Sequence, residues 1–363
     1  MKIRLQKVKD ELSKNQLDAA LVSSIPNITY LTGYSNFSNV QREAFLLITK
    51  TEQFVITDGR YSEAVAIHIP HITLIERTVT NSLDAIFKML RKKYTIKRLG
   101  IEEDNLSVSE YKRLIKYYNN TYHYSIDSFR AIKEKSEIDT IEKACQLADK
   151  TFSFILNKIK KGMSERELAF AIEMFVKKNG AELSFPTIVA FGKNSSIPHH
   201  QTGNTKLDTR NTIVLLDFGV KLNNYCSDMT RTVFFGSANA EFKKMYNTVF
   251  EAQQKAIQQL NNIAMKQSSV KASEVDSVAR TYIEQQGYPT IPHSLGHGIG
   301  LEVHESPRLG PRSKDELKEG MVFSIEPGIY LPGVGGVRVE DLVVLKESST
   351  RLLTKSPREI IEV

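Results

Sequence analysis

The chain has 363 residues, 41% apolar and 25% charged, with a formal net charge of +7. That profile fits a globular protein with room for two domains and excludes disordered and fibrous classes. No run of eighteen apolar residues occurs, so no membrane partner is expected, and the charged N-terminus "MKIRLQKVKDELSKNQLDAALV" does not read as a signal peptide.

Residues 1–128 alternate between two periods. "IRLQKVKDELSKN", "SLDAIFKMLRKK" and "SEYKRLIKYYNN" have helical spacing. "DAALVSS", "AFLLIT", "QFVIT", "HITLIE" and "RLGIEED" are short apolar runs bounded by polar turn residues, as strands are. An α/β domain with its own core is expected here. Most of the positive excess also lies here, densest in "RKKYTIKR" at 91–98. Such a run can bind nucleic acid. It also fits a helix end leading into a strand, and no aromatic-interleaved basic stripe accompanies it, so no nucleic-acid partner is expected.

A second domain, 129–363, opens with the amphipathic "RAIKEKSEIDTIEKACQLADKTFSFILNKI". Next comes "GMSERELAFAIEMFVKKNG", where Ser164 and Glu167 form a capping box and Gly180 a C-terminal stop. Strands are expected at "TIVAFG", "TIVLLDFGV" and "SDMTRTVFFG", then two helices, then strands at "GLEVHE", "VFSIEPGIYL" and "VRVEDLVVLK". Cys145 and Cys226 are too few for a disulfide framework, which predicts free thiols in a reducing cytoplasm.

"IVLLDFGVKLNNYCSDMTRTVFF" reads as a β-hairpin. With a two-residue turn at Leu222 and Asn223, Asp217 and Asp228 would face each other. With the turn at Asn223 and Asn224 they would be diagonal neighbours. Either way they share a face. Glu326, before Pro327, and Glu340, two residues after Arg338, lie in further apolar strands. Buried like charges raise one another's pKa unless a cation sits between them. Four carboxylates balance two divalent ions, and oxygen ligands with an imidazole favour Mn²⁺, with Co²⁺ or Zn²⁺ as alternatives. Cys226 shares the parity of Asp228 and reads as a small filler or a soft ligand.

The ordered set Asp217, Asp228, His297, Glu326, Glu340, within "LLDFG", "SDMTRT", "GHGIGLEVHE", "SIEPGIY" and "VRVED", resembles the metal ligands of the pita-bread metallopeptidases, the Xaa-Pro peptidases prolidase and aminopeptidase P in particular. The layout of residues 1–128 is similar to the α/β domain that precedes the catalytic domain in prolidase, aminopeptidase P and creatinase. The resemblance implies an α/β N-terminal domain followed by an α+β pita-bread catalytic domain. It implies two divalent ions per chain, bridged by Asp228 and Glu340, with Asp217 on one and His297 and Glu326 on the other. It makes His199 an active-site loop histidine, places His304 on the substrate side, and gives His293 a supporting role. Arg338 would orient the bridging glutamate. Arg308, eleven residues beyond His297, would hold the free carboxylate of a C-terminal proline. The implied activity is hydrolysis of the bond before proline in a di- or oligopeptide, a dipeptidase ahead of an aminopeptidase P, by a homodimer. A non-catalytic member of the fold is the reading from another class.

Overall fold

The apolar runs of the first part of the chain pair into one mixed sheet. The computed structural model describes residues 1–38, 40–265, 270–347 and 349–363. The chain divides into two units, Met1–Phe129 and Arg130–Val363. In the first lie β1 (Ala19–Val22), β2 (Phe45–Thr49), β3 (Gln53–Asp58), β4 (Thr73–Arg77), β5 (Arg98–Ile101) and β6 (Asn120–His123). Their order is β4-β3-β2-β1-β5-β6, antiparallel through β1, β2 and β3 and parallel towards both edges. Strands β1 and β2 are buried at every residue, which explains their unbroken apolar runs. Strand β6 has the polar sequence NTYH and carries no such signal. The helix Leu83–Lys93 buries Leu83, Ile86, Phe87 and Leu90 on one face, and Arg91, Lys92 and Lys93 close its last turn, where the helix dipole favours cations. The basic run is therefore a helix end leading into β5.

The second unit begins with two helices, Lys135–Leu156 and Glu165–Lys178, the latter capped by Ser164 and Glu167 as expected. Strands then follow: β7 (Glu182–Leu183), β8 (Ile188–Phe191), β9 (Thr212–Phe218), β10 (Val220–Leu222), β11 (Tyr225–Cys226) and β12 (Met229–Phe235). The helices Ala240–Met265 and Ala272–Gln285 flank β13 (Val270–Lys271). The chain continues through β14 (Gly296–Gly298), β15 (Glu305–Leu309), β16 (Glu316–Leu317), β17 (Val322–Ile325), β18 (Gly328–Leu331), β19 (Gly335–Arg338), β20 (Asp341–Leu345) and β21 (Thr350–Leu352). The main sheets run β12-β9-β8 and β15-β14-β17-β20-β21. Val249, Ala252, Ala256 and Leu260 of the helix Ala240–Met265 share a core with Phe323, Ile325, Val337, Val339 and Val343. That core backs the strands that carry the candidate site.

Two expectations change here. The segment "GLEVHE" is not a strand: residues 299–304 form an irregular turn between β14 and β15. Glu326 and Glu340 do not lie within strands either. Each occupies a break, Glu326 between β17 and β18 and Glu340 between β19 and β20, and Asp228 lies between β11 and β12. The apolar runs on both sides hide these breaks, because the backbone groups at each gap bond sideways to another segment: the Glu326 N–H donates to the Leu295 carbonyl (2.8 Å) and the Glu340 N–H to that of Thr230 (3.1 Å). Cys226, read as a small filler or a soft ligand, takes the place of a filler. It packs with Cys145, Ile138 and Ile141 in a buried apolar cluster, and both thiols are free.

Candidate metal centre

The hairpin supplies two acids. Asn223 and Asn224 take the left-handed conformation (φ 48° and 71°), which asparagine tolerates and a two-residue hairpin turn demands. Of the two possible turns, this one is adopted. It sets Thr230 opposite Asp217, so Asp228 is the diagonal neighbour of Asp217.

His297 comes from β14. A Cβ on Gly296 would lie 1.9 Å from the Ser324 carbonyl oxygen, and one on Gly298 would lie 2.1 Å from that of Ser306. The glycines around His297 thus admit the neighbouring chain segments. The His297 Nδ1–H donates to the Gly298 carbonyl (3.1 Å), which leaves Nε2 to offer its lone pair. Nε2 lies 3.3 Å from Glu326 Oε1 and 3.6 Å from Asp228 Oδ2. Ligand atoms of Asp228, His297 and Glu340 fall within 4.8 Å of one another. Asp217 joins them on the wall of one cavity of about 980 Å³.

The electrostatics are those of a cation site. Burial, then repulsion from Glu340, Asp217 and Glu326, holds the Asp228 carboxyl well above its ordinary range. Burial does the same to Glu340, with Glu326 and Asp217 adding. Glu326 is pushed up to about 8, chiefly by burial, with Arg338 pulling the other way. Burial lowers the His297 pKa and so favours its neutral, ligating form. Among the described residues, Asp228 Oδ1 and Glu340 Oε1 are buried without a hydrogen-bond partner. Buried acceptors of this kind are normally satisfied, and a divalent ion would satisfy both. The donor set therefore fits divalent metal.

Around these ligands lies a network that the sequence did not reveal. Arg338 donates from Nη2 to Asp217 Oδ2 (2.6 Å) and from Nε to Thr230 Oγ1 (2.9 Å). Thr230 Oγ1 in turn donates to Glu340 Oε2 (2.7 Å). So Arg338 grips Asp217 directly and reaches Glu340 by hydrogen bonds through Thr230. Arg338 Nη1 also donates to Tyr330 Oη (2.8 Å), which lies 2.9 Å from His293 Nε2. His293 is pushed down to about 4, first by burial, so it stays neutral. Thr230 stands two residues after Asp228, so strand parity places it on the face of that acid, but nothing in the sequence marks Tyr330. Arg231 uses all five N–H groups: Nε to the Pro357 carbonyl, Nη1 to those of Thr230 and Glu340, and Nη2 to Asp341 Oδ1 and the Ser356 carbonyl.

The remaining expected residues line the same cavity. His304 sets its ring 4.4 Å from that of His297, edge to face, and burial lowers its pKa. His199 reaches the cavity from the loop after β8. Arg308 stands directly opposite His297 across β14 and β15, with its Nε on Ser294 Oγ at 2.9 Å. A spacing of eleven in sequence has become adjacency across a hairpin.

Comparison with known proteins gives the same picture. The model of metallopeptidase family M24 matches residues 139–347, and that of the Creatinase/Prolidase N-terminal domain matches residues 4–132. The chain is 36% identical to the Xaa-Pro dipeptidase of Pyrococcus horikoshii, over 99% of each protein. Among solved structures it resembles an Xaa-Pro dipeptidase from Bacillus anthracis (35% identity, 99% and 98% of the chains, TM-score 0.89). It also resembles an X-Pro aminopeptidase from Thermotoga maritima (33% identity, 96% and 98% of the chains, TM-score 0.83).

Proposed function

The chain belongs to metallopeptidase family M24, and on that premise we propose that it is a prolidase, cleaving the bond before proline in Xaa-Pro dipeptides with two divalent ions. Asp228, Glu340, Asp217, His297 and Glu326 would hold the ions, with Asp228 and Glu340 placed to be shared between them. The observation that carries this reading is the meeting of these five side chains in one cavity with two buried carboxylate oxygens unpartnered. Bound ions of this kind supply Lewis acidity and bring a water's pKa towards neutrality.

The chain's own groups do the rest. Glu326 accepts the proton of the attacking water. His304 donates to the oxyanion that develops on the carbonyl. Proline nitrogen leaves only once protonated, and a cavity imidazole, His199, delivers that proton. The tertiary amide of Xaa-Pro offers no N–H, and a site built from side chains needs none. Arg308 selects the dipeptide, since its guanidinium fork matches the free carboxylate that an amide replaces in longer peptides.

The likeness to an X-Pro aminopeptidase structure supports a second reading, release of the first residue from longer Xaa-Pro peptides. Rates on Ala-Pro and Ala-Pro-Ala, with EDTA as control, separate the two. EDTA-sensitive cleavage of Ala-Pro in preference supports the dipeptidase, and preference for the tripeptide selects the aminopeptidase. No cleavage of either by the ion-loaded protein refutes both. Mn²⁺ as the native ion, a homodimer and a cytoplasmic location complete the proposal. The oxygen-rich ligand set supports the first, the family resemblance the second, and the two buried free cysteines the third.

A further inference from the structure

Glu165 is the first residue of the helix Glu165–Lys178 and is wholly buried, far from the five candidate ligands in sequence. Its carboxylate accepts four hydrogen bonds, which exhausts its usual capacity. Oε1 takes the Phe191 N–H (2.9 Å) and Asn194 Nδ2 (2.8 Å). Oε2 takes the Gly203 N–H (3.0 Å) and pairs with His200 Nε2 (3.0 Å). The helix N-terminus joins in: the Glu165 N–H donates to the Thr205 carbonyl and the Arg166 N–H to that of Gly203, both at 3.0 Å. All these partners belong to one loop, residues 191–205, and they hold it on both sides of His199. His200, next to His199, is the only imidazole bonded to Glu165 among the described residues. The His199 ring makes no hydrogen bond of its own among the described residues, so its place in the cavity is set by the main chain.

We propose that Glu165 and His200 are a positioning pair that pins the loop on either side of His199 and so presents its imidazole to the substrate. The inference rests on the reading above that His199 serves the reaction. Neither residue lines the cavity, so each acts through His199. A misplacement of about 1 Å at a reacting group can lower a rate about a hundredfold, and a carboxylate with four bonds to one loop is a means of preventing it. Nothing in the sequence singles out Glu165, which lies inside the capping box, where an acid suits the first helical turn.

The test uses ion-loaded enzyme with Ala-Pro as substrate. In His200→Leu and Glu165→Gln, kcat falls by about tenfold or more with ion stoichiometry and KM close to wild type. His200→Gln, whose side-chain amide can reach the same carboxylate, recovers most of the rate. In a His199→Ala background, His200→Leu lowers kcat no further, because both changes act through one imidazole. Amide hydrogen exchange over residues 191–203 reads the pinning independently of turnover, and it quickens in His200→Leu and Glu165→Gln. Wild-type exchange or wild-type kcat in both variants overturns the pair. So do equal losses in His200→Gln and His200→Leu, or losses in His200→Leu that multiply with His199→Ala. If exchange quickens yet His199→Ala turns over like wild type, the assignment of His199 has failed, and the link to catalysis falls with it.

Discussion

Replacing Thr230 by valine removes one hydroxyl and almost no volume from a wholly buried position. That hydroxyl accepts from Arg338 Nε at 2.9 Å and donates to Glu340 Oε2 at 2.7 Å. Valine leaves a buried guanidinium N–H without its acceptor. It also leaves Glu340 without the donor that opposes its raised pKa, its Oε1 being already unpartnered. A hydrogen bond to a charged group contributes about 1.5–3 kcal/mol. Outer partners of metal ligands alter affinity by about 10- to 100-fold. Thr230→Val should therefore weaken Mn²⁺ binding by about that factor, measured by calorimetric titration at fixed pH, and kcat/KM at limiting metal should fall in parallel. Thr230→Ser keeps the hydroxyl and loses a methyl, so its affinity should stay within about threefold of wild type. Wild-type affinity in the valine variant would refute the chain from Arg338 through Thr230 to Glu340.

Asp228→Ala should abolish both ion binding and hydrolysis, because a bridging ligand serves two ions; two ions per chain with normal turnover would remove Asp228 from the ligand set. The pH dependence of the ion-free protein has a definite sign. Burial pushes the Glu326 carboxyl up to about 8 in the folded site, against 4.5 for an ordinary glutamate, so the stability it brings is complete below about 4.5 and is lost as pH rises through about 8. Asp228 and Glu340 act in the same direction. The gap in Tm between Mn²⁺-loaded and EDTA-treated protein should widen from pH 5.5 to 8, and a constant gap would contradict the buried, uncompensated carboxyls. Arg308→Ala should lower kcat/KM for Ala-Pro by about ten- to a hundredfold and leave Ala-Pro-Ala nearly unchanged; equal effects on both substrates would exclude the carboxylate clamp.

The pleat made part of this site legible. Period two put Asp217 and Asp228 on one face of a hairpin, and the two asparagines offered the turn that the chain adopts. The same logic misled at Glu326 and Glu340. A run such as "VFSIEPGIYL" keeps its apolar character on both sides of the break, so hydrophobic patterning reads through it, and only the Pro327–Gly328 dipeptide marks where β17 ends and β18 begins. Parity also put Arg338 on the face of Glu340, yet its guanidinium turns to Asp217, because the break resets the alternation and Thr230 stands between. Tyr330 meets His293 across 37 positions, and Glu165 meets residues 26 to 38 further on. Contacts of that range carry no local period. Strand β6 went unseen for the opposite reason: it is local but polar.

Arg231, which joins Glu340 to the carbonyls of Ser356 and Pro357, gives the site a place in time. A ribosome releases Asp217 and Asp228 early and Glu340 roughly 110 residues later, an interval on the order of 5–20 s at about 5–20 residues per second. The strap across Glu340 closes only after residue 357 has emerged. Before residue 340 emerges the nascent chain carries an incomplete ligand set, with acids that repel one another. A complete set exists only once the stretch from 217 to 340 has been synthesised, and the strap that holds Glu340 through Arg231 only once residue 357 follows.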